Sequence, residues 1–243
     1  MGCTSSSSSA QCSTADMVEA LRKALQVPAE ALEQGRLVVV TGPCRPALDP
    51  PLLSPLTGRP CLSFGIGAKE LIWYTHRTGS KVEDRERWES RFSVTQQSDF
   101  YIDYEGRQIR VRMRPREFIF GGNPVTTQVE VKPGQPHPPG LKVLAVLMLI
   151  LYVFALFTQG LFNPVNLEYS MGHWRYEDTS VFAEGVLTVV GVLCDERAEL
   201  VIEPASREAM SPETVPGLSE AVWQRWHEVS RAPVVVISRS KGS

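Results

Sequence analysis

The stretch VLTVVGVLCDERAELVIE, residues 186–203, decides how this chain is read. Val186–Cys194 is an apolar run rich in β-branched residues, and Glu199–Glu203 is a second short run beyond a polar break, so the two form a strand pair. Gly191 interrupts the first run, which in a strand marks a bulge or the close approach of a neighbour. Working outward, segments of the same kind recur at Arg36–Thr41, Cys61–Ile66, Leu71–His76, Arg91–Gln96, Phe100–Tyr104, Gln108–Arg114, Thr127–Val131 and, closing the chain, Pro233–Ser238. Turn residues separate them: Gly42-Pro43 stops the first strand, and Thr78-Gly79-Ser80 and Glu105-Gly106 punctuate later ones. Lys81–Glu89 (KVEDRERWE) reads as a charged turn or short helix carrying Trp88.

Two amphipathic helices flank the strands. Asp16–Val27 places Met17, Leu21 and Ala24 on one stripe, with Pro28 beyond its end, and Gly217–Val229 places Leu218, Val222 and Trp226 near one side. Eighteen Gly and eighteen Pro in 243 residues fit a turn-rich β protein. The expected fold class is therefore α+β, mainly β: a short-stranded sandwich or partly closed barrel, with an inserted hydrophobic helix and short flanking helices.

Composition excludes several functions. The net charge of -2 provides no field to recruit nucleic acid. The five cysteines (Cys3, Cys12, Cys44, Cys61, Cys194) form no C-x-x-C pair, and His76, His137, His173 and His227 are scattered, so no zinc module is visible and no cofactor is expected. The odd cysteine count and the lack of a signal peptide favour a reducing compartment.

Two features point to a membrane. The N-terminus, Met1-Gly2-Cys3-Thr4-Ser5-Ser6, fits a myristoylation pattern at Gly2, and Cys3 is placed for a second, palmitoyl chain that would make attachment lasting. Leu141–Phe162 (LKVLAVLMLILYVFALFTQGLF) would extend roughly 33 Å as a helix, about the thickness of a hydrocarbon core. A central buried helix is the alternative. Basic residues upstream and acidic ones downstream place the N-terminus in the cytoplasm. The expected organisation is a disordered acylation tail (1–15), an amphipathic helix (16–34), a first part of a β domain (35–133), a linker with the hydrophobic membrane helix (134–163), and a second part of the β domain with its C-terminal helix and strand (164–243).

Three blocks carry a family resemblance. They are RLVVVTGPCRPALDPPLLSPLTGRPC (36–61); Trp88 with Ser98-Asp99-Phe100-Tyr101-Ile102-Asp103 and Gly106; and Tyr176-Glu177 through Gly185, Leu187, Val190-Gly191, Leu193 and Asp195 to the 200–204 strand. Together they resemble the membrane-side domain of GIDE-type mitochondrial E3 ubiquitin ligases. The resemblance implies a structural module with no catalytic residue to carry over. Those ligases end in a zinc-binding RING, whereas only Cys194 and His227 fall in the last fifty residues here. Their membrane helices also lie outside the domain. A single crossing by residues 141–162 would part strands that must pair, so the run is expected to dip in or pack beneath one folded domain.

Among local constellations, Arg110, Arg112, Arg114 and Arg116 alternate with apolar residues, placing four guanidinium groups on one strand face. They suit a solvated face partnered by Glu83, Asp84, Glu86 and Glu89, or contact with anionic lipid headgroups. Gly65-Ile66-Gly67 lacks the third glycine and helix of a phosphate loop. Asp99 and Asp103 share a face but have no partner base, and no Ser near His76 or His173 sits in a nucleophile elbow. Trp223, Trp226 and His227 suit helix packing or an interface. The chain is thus expected to be no enzyme but a membrane-attached interaction module binding a protein partner. The alternative is a RING-less partner of the ubiquitination machinery; a cryptic hydrolase comes third.

Overall fold

A computed structural model describes residues 12–78, 81–115, 117–121, 124–141, 169–210, 215–231 and 234–239. The chain divides into two compact units, each built from separated segments. Unit 1 comprises Met1–Pro50, Gln97–Asn123 and Ala183–Ser243, and unit 2 comprises Pro51–Gln96 and Pro124–Phe182. The sequence-based cut at residues 133 and 164 therefore gives way to an interleaved one, in which two excursions from unit 1 build unit 2.

Unit 1 holds strands β1 (Leu37–Pro46), β4 (Phe100–Tyr104), β5 (Arg107–Val111), β6 (Phe118–Phe120), β9 (Val186–Glu196), β10 (Glu199–Glu203) and β11 (Val235–Arg239), with helices α1 (Thr14–Leu25) and α2 (Glu220–Val229). Five strands close on themselves in the order β1-β4-β5-β10-β9-β1. Within that ring only β5 and β10 run parallel. This is the strand order of a Greek-key barrel of the OB type. β11 and then β6 extend the sheet from β9.

The apolar run that opened the sequence reading is buried on both faces because β9 has a covering on each. Leu187, Val189 and Leu193 alternate with Val190 and Val192, which pack against the helices. The helix-side core joins Met17, Val18 and Leu21 of α1 to Val222 and Trp226 of α2 over Val39, Val190 and Val236. Trp226 is fully buried and its indole N–H donates to the Arg207 carbonyl (3.3 Å). Ser13 caps α1, its hydroxyl oxygen accepting from the Asp16 N–H (3.1 Å) and its proton donated to the Asp16 carboxylate (2.6 Å).

Local chemistry explains several departures from the sequence reading. Gly42-Pro43 does not stop β1. The strand bends there, leaving β9 after Pro43↔Val186 and joining β4 at Cys44↔Ile102. A Cβ on Gly42 would lie 2.0 Å from the Asp103 carbonyl oxygen, so only glycine admits the crossing. Gly191 is likewise a close approach rather than a bulge: its Cβ would fall 2.4 Å from Ile202 Cγ2, and the β1–β9 register runs through it unbroken. The Glu105-Gly106 turn links β4 and β5 with positive φ at both residues (48° and 80°), the backbone of a two-residue hairpin that follows strand twist. Arg197-Ala198 links β9 and β10 the same way (φ 55° and 67°), without glycine.

Unit 2 is a four-stranded sheet in the order β3-β2-β8-β7. Cys61–Ile66 and Leu71–His76, read as two strands, are one 18-residue strand, β2 (Cys61–Thr78). Lys81–Glu89, read as a turn or helix, belongs to β3 (Lys81–Gln97), whose charges sit on a sheet edge. β7 is Val125–Val131. β8 (Tyr169–Phe182), absent from the sequence reading, pairs antiparallel with both β2 and β7. One face of this sheet buries Phe64, Ile66, Ala68, Tyr176 and Phe182 with Leu52 and Leu141. Among the described residues the architecture is thus mainly β, with two α-helices, a closed five-stranded barrel and a further sheet.

The transmembrane helix is corrected. Among the described residues no helix is long and apolar enough to cross a membrane. Leu141 belongs to a 3-10 turn (Pro139–Leu141) and is buried in the unit 2 core; residues 142–162 of the proposed span lie outside the described residues. Pairing supplies the physical objection. β1–β9, β5–β10 and β2–β8 join strands before that run to strands after it, and a single crossing would sever every such ladder.

Two substitutions test the backbone account. Ala198→Gly relieves a left-handed alanine and raises stability by about 1 kcal/mol, read as a shift in the urea midpoint at constant slope. Gly42→Ala drives a methyl into a backbone carbonyl and lowers stability by about 1–3 kcal/mol in the same assay.

Candidate functional site

The arginine row is committed to ion pairs inside unit 1. Arg110 holds Asp99 through Nε (3.0 Å) and a terminal nitrogen (2.7 Å) and reaches Glu199 at 3.6 Å. Arg112 pairs with both Glu196 and Glu203, and Arg114 lies 3.8 Å from Glu117 and 3.9 Å from Glu203. The neighbouring carboxylates hold the Arg110 and Arg112 guanidinium pKa values above their ordinary level, the hydrogen bonds that these guanidinium groups donate to Asp99 and Glu196 being the leading causes. The carboxylates that Arg110, Arg112 and Arg114 meet all belong to unit 1, whereas Glu83, Asp84, Glu86 and Glu89 fall on β3 in unit 2. β5 ends at Val111, so the strand alternation stops before Arg114. Each described guanidinium of the row meets two carboxylates, which leaves little charge for lipid headgroups. Gly2, Cys3 and Arg116 lie outside the described residues.

Asp99 also accepts from the Met113 N–H (2.8 Å), and Asp103 lies 3.8 Å from Arg45, so both carboxylates fasten strand ends. Gly65 and Gly67 are in mid-strand β2. Trp223 packs against the helix-side core and His227 Nδ1 lies 3.2 Å from an Arg207 nitrogen. No group of three or more metal-ligating side chains exists among the described residues.

The polar chemistry concentrates in unit 2, on the two faces of β8. Trp174, Tyr176, Asp178, Ser180 and Phe182 face the core. There Asp178, 1% exposed, accepts from the Ser54 hydroxyl (2.5 Å), the Leu56 N–H (3.2 Å) and the Ser180 hydroxyl (2.6 Å). Thr57 donates to Ser54 through its hydroxyl (2.7 Å) and its N–H (3.2 Å), which fastens the loop 51–60 onto the sheet. A buried carboxylate is tolerated here because it collects several donors. Burial, reinforced by the Asp178 charge, pushes the nearby Cys61 thiol up to about 12. Further along the same face Trp174 stacks on Tyr176 (6.1 Å, 8°), and the Tyr176 hydroxyl lies 2.7 Å from His137 Nδ1. Burial and the Glu70 charge raise that phenol to about 12. The arrangement is a packed polar anchor, in which the Asp178 carboxylate beside Ser54 and Cys61 is occupied by three donors that hold the loop in place.

His173 and Arg175 occupy the opposite face of β8. The Arg175 guanidinium sits 4.3 Å from the centre of the Trp88 ring, and His173 meets the same ring edge-on at 5.1 Å. Glu130 on β7 accepts from Arg175 Nε (2.8 Å) and lies 3.7 Å from His173 Nε2. Three strands thereby fix one aromatic–cationic cluster with the Arg175 side chain still 32% exposed. Beside it is a depression of about 190 Å³, lined by Gly67, Lys69, Ser90, Phe92, Arg175 and Glu177 among others. Gly67 contributes only backbone there, and its missing side chain leaves the floor low. The volume is below that of ordinary cofactor pockets and suits one side chain.

Sequence reasoning singled out Trp88 only through the resemblance and missed His173, Arg175 and Glu130 as a group. They come from segments far apart in the chain, and the only available signal was the period-two pattern of β8. Comparisons with models of protein families, with curated proteins and with solved structures find no match to this chain. The assignments that rested on the resemblance (a GIDE-type domain, a role in ubiquitination) and on the N-terminal pattern (myristoylation, palmitoylation) find no support in them and are withdrawn, together with the transmembrane helix.

The Cys61 environment makes a measurable statement. At pH 8 maleimide should leave Cys61 unmodified in the folded protein, because its thiolate forms only near pH 12 and it is fully buried. Cys12, Cys44 and Cys194, all partly exposed, should label first; in urea Cys61 should join them, as read by peptide mass spectrometry.

Proposed function

We propose that this chain is a non-catalytic interaction module, and that the open face of the unit 2 sheet is where a protein partner docks. The observation that carries the reading is the Trp88–Arg175–His173 cluster, which is held in place by Glu130 yet remains accessible. Trp and Arg dominate the binding energy of interfaces, and they do so best when pre-positioned, since little rotamer freedom is then lost on association. The adjacent depression would accept one partner side chain, with Lys69 offering positive charge, Glu177 negative charge and Phe92 an apolar wall. Membrane attachment rested on the withdrawn helix and acylation pattern and forms no part of this proposal.

A photo-crosslinking residue placed at Ser90 or Lys69 should trap the same discrete partner, while one at Glu30 or Glu208 in unit 1 should not. Trp88→Ala should then weaken binding of the purified partner by about 30-fold or more, the size of an interface anchor. Equal trapping from all four positions, or an unchanged affinity in Trp88→Ala, would overturn the reading.

A further inference from the structure

The edges of the two sheets are protected unequally. β3, one edge of the unit 2 sheet, carries Asp84, Arg85, Glu86, Arg87, Glu89 and Arg91 in close succession, the charge that keeps an edge from pairing with other chains. β6, the terminal strand in unit 1, is three residues long. β7, the opposite edge of the unit 2 sheet, has neither device. Its seven residues, VTTQVEV, contain no proline and no lysine, one charge at Glu130, and an unbroken register against β8. Val125 at its start is 39% exposed, and among the described residues β8 is its one strand neighbour.

We propose that β7 is a self-association edge, pairing antiparallel with β7 of a second copy of this chain about a two-fold axis through Gln128. The strand's own sequence selects that register. Centring on Gln128 pairs all seven residues, whereas any shift leaves strand ends unpaired. It sets Glu130 opposite Thr126 of the second copy, so the single carboxylate meets a hydroxyl and never its own copy. Glu130 is already neutralised by Arg175 (2.6 Å), which lowers the cost of bringing two such edges together. On the core side, Val125 meets Val131 and Thr127 meets Val129, β-branched pairs of the kind that stabilise neighbouring strands. Val129 and Val131 already belong to the unit 2 core, so the join would continue that apolar layer from one copy into the next. The contact is isologous and closes at two copies, which protects against open-ended growth. It is independent of the open-face proposal, since it uses backbone groups at the sheet edge.

Sedimentation equilibrium of the full chain should show a reversible dimer. Under mild oxidation, with the unsubstituted chain as blank, Gln128→Cys should give a disulfide-linked dimer and Thr126→Cys alone should not. A mixture of Thr126→Cys and Glu130→Cys chains should give the mixed dimer. Gln128→Lys, at an exposed position, should raise the dimer dissociation constant at least tenfold without changing the circular dichroism spectrum. A chain that stays monomeric, a dimer that fails to cross-link at position 128, or a dimer indifferent to Gln128→Lys would each overturn the proposal.

Discussion

β9 is the strand on which the rest of unit 1 depends. Its one edge carries β1 from Leu37 to Pro43, and its other edge carries β11 along the first half and β10 along the second. Because three strands hang on it, its two faces are both buried: one within the barrel, the other beneath α1 and α2. That double burial is why the sequence there is an almost continuous apolar run, where a strand with one wet face would alternate. It is also why Gly191 is required, since Ile202 and Glu203 crowd the strand from the β10 side.

Unit 2 obeys a different constraint. Its core is smaller and contains a charge, and Asp178 makes that acceptable by organising the loop 51–60 around itself. Removing its partners would leave a desolvated carboxylate, which costs more than an absent hydrogen bond. The same strand turns its opposite side outward with Arg175 and His173. One strand therefore carries buried, structural polarity on one face and partly exposed polarity on the other, and a period of two keeps them apart.

How much of this was legible follows from the physics of each segment. β4 and β10 matched the expected limits, and β9 and both helices nearly so, because their apolar residues recur at the helical period or run almost continuously along a strand. β8 was missed because Asp178 and Ser180 occupy buried positions on its core face, where the pattern expects hydrophobes. The first half of β3 was misread since an exposed edge strand has no apolar face to reveal its period. Closure of the barrel was hidden for a different reason: β1 meets β9 across some 150 residues, and no local signal reports such a partner. The candidate site was the least legible part, since Trp88, Glu130 and Arg175 converge only through the register of four strands. The arginine row was visible, but its partners on β9 and β10 were not.

The interleaving of the two units has a consequence for how the chain is made. The barrel begins with β1 near residue 37 but cannot close until β9 and β10, residues 186–203, are available. During synthesis the first strand must wait, unpartnered on that side, while both excursions that form unit 2 emerge. Strand pairing over such separations is slow, and exposed strand edges in the interim invite wrong partners. The valine triplet Val38–Val40 of β1, buried in the finished barrel, stays uncovered on that edge until those last strands arrive.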